Sequence, residues 1–201
     1  MTDIAPRGLP AERTFSDEFL RLWPLVQEWI KPYYDGEHMR RAADWLLFLA
    51  PDAPEHLVIA AATHDLERSV PGGPALDKAN MAWDDRAYND AHASRSAVVV
   101  SEWLTANGAS AELAASVQQP ICEHEFGGSA EGDLMQAADS ISFLEVNGGL
   151  VSDWVLKGEC TQAKSREKLD WMRERVRLER ARPFAHHFHA ESVAALVRAT
   201  S

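Results

Sequence analysis

The chain has 201 residues, a net charge of -11, 46% hydrophobic residues and 25% charged residues. This is ordinary globular composition with enough length to bury a substantial core, and the acidity excludes broad binding to a nucleic acid polymer, whose phosphates call for clustered cations. No apolar run reaches the ~20 residues that cross a bilayer, and the first residues lack the basic-then-apolar order of a secretion signal. Cys122 and Cys160 lie far apart and in no CxxC pattern, so neither a disulfide framework nor a cysteine metal site is implied. The expectation is a cytoplasmic chain of one domain with no membrane partner.

The first dozen residues, with Pro6, Gly8 and Pro10, form a loose lead-in. Ser16 then caps a helix through Phe19, Leu22, Trp23, Val26 and Ile30 that ends before Pro32. Asp35-Gly36 breaks the chain, and a second helix follows over 37–49 with Ala42, Trp45, Leu46 and Leu49 on one side. Asp52-Ala53-Pro54 is a start signal, with Asp52 or Ala53 at the cap and the proline in the first turn. The run over 57–66 is apolar nearly all round, as a central buried helix should be.

Residues 69–83, holding Pro71-Gly72-Gly73-Pro74, read as a loop bordering a site. A long helix over 84–105 puts Tyr88, His92, Val99 and Trp103 on one stripe, and Asn107-Gly108 ends it. Ser110 starts the next helix, which Pro120 kinks and Gly127-Gly128 closes. Another apolar helix spans 130–155, with Gly148-Gly149 as a point of bending or interruption. Thr161 caps a strongly charged helix reaching to residue 182, and Pro183 precedes a short final one. Period-two alternation is missing and β-branched residues are few, so the fold class is all-α.

Six groups of metal-ligand type stand in these apolar stretches: His38, the adjacent His64-Asp65, His92, His124 and Asp139. A buried carboxylate needs partners that offset its desolvation, and a cation with imidazole neighbours supplies them. Adjacent helical residues point ~100° apart, so His64 and Asp65 approach one metal from two sides or let the carboxylate bridge two. Each residue alone has a bland reading. A lone histidine is more often a hydrogen-bonded core residue, His124 also fits a C-terminal helix cation, and Asp139 also fits a salt bridge to an arginine. Convergence of all six is what points to a metal.

The order His…His-Asp…His…His…Asp resembles the HD-domain superfamily of metal-dependent phosphohydrolases, in the words EHMRRA at His38, AATHDLERS at the pair, ICEHEFGG at His124 and LMQAADSISFLE at Asp139. The resemblance covers about residues 35–146, with 161–201 as C-terminal helices packed on that core. It implies an HD-domain helical bundle with a C-terminal helical extension. It also implies one metal held by His38, His64, Asp65 and Asp139, and a second by His92 and His124 with Asp65 bridging. The donor set is nitrogen and oxygen without thiolate, which suits divalent Fe, Mn, Co, Ni or Zn.

The implied activity is hydrolysis of a phosphate ester or anhydride in a nucleotide or other small phosphorylated metabolite by a metal-activated hydroxide. Two other functions remain open: a di-iron oxygenase on the same ligands, and a non-catalytic binding module, which the complete ligand set disfavours. Many dinuclear members carry a lysine shortly after the pair; here Leu66-Glu67-Arg68 follows, which assigns Arg68 to phosphate neutralisation and Glu67 to proton transfer, with surface salt bridges as the competing reading. The Gly-Tyr-Pro element of the cyclic-dinucleotide branch is absent after His92, which disfavours that substrate, and Arg95, one turn on, is the expected phosphate contact. Between residues 164 and 182 acids alternate with bases, so a solvated, salt-bridged helix is expected, the alternative being one arginine edge reaching the site. The cluster His186-His187-His189 reads as surface or interface, and Asp77 with Trp83-Asp84-Asp85 as a site rim.

Overall fold

Ser16 opens the first helix as expected. Its hydroxyl accepts from the Phe19 amide at 3.1 Å, and Glu55 braces it through both the Ser16 amide and hydroxyl at 2.6 Å. The structure is a computed structural model describing residues 4–201. Residues 1–3, part of the lead-in in which no secretion signal is expected, lie outside the described residues. All regular structure among the described residues is helical, and none of the helices is long and apolar enough to cross a membrane.

In order, α1 (Asp17–Ile30), α2 (Gly36–Leu49) and α3 (Glu55–Thr63) precede a 3-10 turn, Leu66–Ser69. Then come α4 (Arg86–Ala106), α5 (Ala111–Ser116), α6 (Gln118–Glu123), α7 (Ala130–Val146) and α8 (Gly148–Leu156). The chain closes with α9 (Gln162–Glu174), a second 3-10 turn at Glu179–Ala181, and α10 (Arg182–Thr200). Helix α3, buried over its whole apolar length, lies among α1, α2, α6 and α7, while α2 packs most extensively on α7. The C-terminal helices close over α7 and α8, and their Leu169, Met172, Ala185 and Leu196 belong to the same hydrophobic core as α2 and α3.

Three boundaries differ from the sequence reading and a fourth resolves an alternative it left open. Helix α3 starts at Glu55, with Pro54 at its cap rather than inside the first turn. The expected kink becomes a break at Val117. Pro120 has no amide hydrogen to donate to the carbonyl four residues back, so the ladder is interrupted there and α6 restarts with the proline in its first turn. The helix over 130–155 is interrupted just before Gly148-Gly149, giving two helices joined at Asn147, whose side-chain amide ties to Asp35 at 2.9 Å at the start of α2. The charged helix ends at Glu174, not near residue 182, and the final helix is long, with Pro183 in its first turn.

Arg41 anchors α2 to α7. It is fully buried, and its guanidinium meets Glu145 at 2.8 and 3.0 Å, Asp44 at 2.9 Å and the Ala5 carbonyl at 3.1 Å. Trp45 adds an indole hydrogen bond to Glu145 at 2.7 Å. Removing one member of a buried ionic network strands the others without compensation. Arg41→Ala is therefore expected to lower unfolding free energy by about 3–5 kcal/mol in urea titration; a loss below ~1 kcal/mol, the size of a surface pair, would show that the network contributes little.

Candidate metal centre

The six residues expected as ligands all converge at the heart of the bundle, each 5% exposed or less. Helix α2 brings His38, α4 brings His92 and α7 brings Asp139. His64 and His124 cap the C-terminal ends of α3 and α6. Asp65 follows where α3 gives way to the 3-10 turn, and this change of backbone path lets two consecutive residues face one centre. Asp65 lies 2.8 Å from His92, 3.8 Å from His124 and 3.9 Å from His64. Asp139 lies 3.2 Å from His38 and 3.4 Å from His64.

The outer nitrogens decide which way these imidazoles work. His64 Nδ1 donates to the Ala61 carbonyl at 2.9 Å, and His124 Nδ1 to the Ile121 carbonyl at 2.6 Å. His92 Nδ1 donates to Glu67 at 2.7 Å. Ser142 gives its hydroxyl hydrogen to the Asp139 carbonyl at 3.0 Å, so its oxygen accepts from His38 Nδ1 at 2.8 Å. All four histidines thus tie Nδ1 outward and turn Nε2 inward, the arrangement of imidazoles presented to a metal, with Nε2 of His92 at hydrogen-bond distance from Asp65, 2.8 Å. Nε2 of His64 and of His124 is buried with no hydrogen-bond partner. An orphaned buried acceptor is costly, and two in one centre call for a cation.

Three groups bring ligand atoms within 4.8 Å of one another: His38, His64 and Asp65; His64, His124 and Asp139; and Asp65, His92 and His124. Asp65 belongs to groups on both sides, as a bridging carboxylate requires. The residues present therefore fit divalent metal. The electrostatics agree in sign. Burial pushes the Asp65 carboxyl up, but Arg68, His64 and His92 beside it prevail and hold it well below its usual range. Asp139 behaves alike, burial being outweighed by Arg175, His64 and His38. Burial lowers His64, yet Asp65 and Asp139 raise it to about 9, so the centre draws positive charge.

A cavity of about 220 Å³ opens onto this centre, with His38, Asp65 and Asp139 in its floor. The loop over 69–83 borders it through Leu76, Lys78 and Trp83, as the sequence reading expects. Arg68 lines it too, 3.4 Å from Asp65 and 3.3 Å from His92. Glu67 and Arg95 stand elsewhere than expected. Glu67 is buried against His92 Nδ1 and does not line the cavity, so it orients an imidazole; a Cβ at Gly73 would overlap its carboxylate. Arg95 is not in the lining either. Its guanidinium faces Glu67 at 3.2 Å and the Val70 and Pro71 carbonyls, where it braces the loop instead of meeting a substrate. His186 is exposed and His189 bonds Asp170 at 2.7 Å, so that cluster stays apart from the centre. Asp77 and Asp85 cap local turns.

The charged segment supplies the alternative the sequence left open, an arginine reaching the site, and with it the salt bridge expected as the plain reading of Asp139. Arg175, at the C-terminal cap of α9, points inward, hydrogen-bonds Asp139 and Glu125, and reaches Ser140 at 2.8 Å. It takes the Asp139 oxygen that the histidines leave free. Glu125, 3.6 Å from His124 and buried, is a further carboxylate beside the ligands; its place next to His124 in the sequence was the available signal. Nothing in the alternating charge of α9 distinguished Arg175 from its solvated neighbours.

No protein-family model, curated protein or solved structure matches the chain.

Ions that bind only the folded chain stabilise it by roughly 3 kcal/mol at hundredfold saturation. Chelation is expected to lower the Tm and metal re-addition to restore it, while Asp65→Ala loses bound metal on elemental analysis. An unchanged Tm after chelation, or an unchanged metal content in the variant, would contradict the ligand assignment.

Proposed function

We propose that the chain is a metal-dependent phosphohydrolase of the HD-domain type, acting on a phosphate ester or anhydride of a small metabolite. The observation that carries this reading is the set of four buried imidazoles, each with Nδ1 tied outward and Nε2 turned toward two carboxylates. His38, His64, Asp65 and Asp139 would hold one ion, and His92 and His124 a second, with Asp65 shared. Divalent ions bound there supply Lewis acidity, lowering the pKa of a water and neutralising charge on a phosphoryl group.

The protein's own residues do the remaining work. Ser142, Glu67 and the two helix-end carbonyls fix the imidazole tautomers, so no ring needs to turn before binding. Arg175 holds the outer oxygen of Asp139 and leaves its other oxygen toward His38 and His64. Arg68, Arg175 and Lys168 line the cavity as cations, which supports an anionic substrate in an otherwise acidic chain. No side-chain nucleophile is required.

The same ligands can serve oxygen chemistry at iron, so the test must separate the two. Metal-loaded chain is expected to release phosphate from members of a phosphomonoester, phosphodiester and nucleotide panel with Mn or Co under anaerobic conditions. Turnover strictly dependent on iron and O2, with no phosphate released, would overturn the assignment.

A further inference from the structure

Five cations line the cavity, and four of them are paired. Arg68 meets Asp65, Lys78 meets Glu159, Lys157 meets Asp153, and Arg175 meets Glu125 and Asp139. Lys168 differs. Among the described residues its amine has no carboxylate partner and no hydrogen bond, and it sits over the rings of Trp171 at 4.5 Å, Phe143 at 5.0 Å and Trp83 at 5.4 Å. Burial, with Arg175 and Arg68 nearby, lowers its pKa to about 8, Glu125 acting in the opposite sense. Arg175, Arg68, Glu125 and Asp139 all act on the amine through space but none bonds it, so its hydrogens are open to an acceptor.

The wall next to it is aromatic, with the Lys164 and Lys168 amines over Trp83 at 5.8 and 5.4 Å. Trp83 and Trp154 stack with centroids 5.8 Å apart and planes 18° from parallel, and Leu76 and Leu150 extend the surface. Trp83 is locked by its indole hydrogen bond to the Lys164 carbonyl at 2.9 Å, and the Lys78 amine lies 5.1 Å over Trp154. This surface is built before any ligand arrives.

We propose that Lys168 is the substrate-anion contact of the cavity, and that the substrate class is a phosphate ester of a flat aromatic group packed against the Trp83–Trp154 pair. The proposal rests on the phosphohydrolase reading for the fate of the phosphate, but not for its binding. The phosphate oxygens accept from the Lys168 ammonium above the centre, while the ring gains stacking area and leaves water. An alkyl phosphate keeps the first interaction and loses the second.

Binding is read by calorimetric titration of the metal-loaded chain with two probes that cannot be hydrolysed, phenylphosphonate and methylphosphonate. The native chain is expected to bind the phenyl probe about fivefold or more tighter. Lys168→Met, which keeps the length and apolar stem of the side chain, is expected to weaken both probes by about tenfold or more. Lys168→Gln gives a second measure should the methionine disturb folding, and Trp154→Leu is expected to abolish the phenyl preference while leaving the methyl probe unaffected. Absence of binding by the native chain, equal affinity for the two probes, or native affinity in folded Lys168 variants would each overturn the proposal. Phosphate release from phenyl phosphate is scored separately. Intact, Lys168-dependent binding without release supports this subsite and counts against the hydrolytic reading alone.

Discussion

The centre of this molecule depends on the cost of burying two carboxylates and four imidazoles among apolar helices. Each costs several kcal/mol if left unpaired, more than one hydrophobic contact returns. The bundle meets that cost in layers. Asp65 and Asp139 face the imidazoles, the imidazoles hand their outward protons to fixed acceptors, and Arg68 and Arg175 draw on the remaining carboxylate oxygens. What these layers leave over is two inward nitrogens, on His64 and His124, near the carboxylates but with no hydrogen-bond partner. The deficit is specific in place and sign, and a divalent cation is the simplest species that removes it.

This constraint explains features of the fold that packing alone does not. The chain breaks helix at His64–Asp65 and again at His124–Glu125, and at both places a ring nitrogen bonds the carbonyl three residues back at the end of the helix. Freed helix-end carbonyls, which need donors, thereby become the groups that set the tautomer. Arg175, at the C-terminal cap of α9, supplies the cation on the far side of Asp139.

Much of this was legible in sequence because polar residues in apolar runs announce themselves. His38, His64, Asp65, His92, His124 and Asp139 stand out for that reason, and the helical class follows from the absence of period-two patterning. Arg175 and Lys168 could not be singled out, since both sit in a stretch where bases and acids alternate and only the packing of α9 on the core selects the residues that face inward. Arg95 drew attention by its spacing from His92, yet the loop carbonyls beside it and Glu67 claim its guanidinium. Gly148-Gly149 flagged the joint at Asn147, whereas the length of α10 escaped the sequence reading because proline marks where a helix can change, not how far it runs on.

The most direct measurement is anomalous diffraction from crystals of the metal-loaded chain, collected on either side of the metal absorption edge. Two peaks about 3.5–4 Å apart are expected among His38, His64, Asp65, His92, His124 and Asp139, with Asp65 touching both. A map with no peak among these residues, or with its peaks at the His186–His189 cluster instead, would contradict the centre.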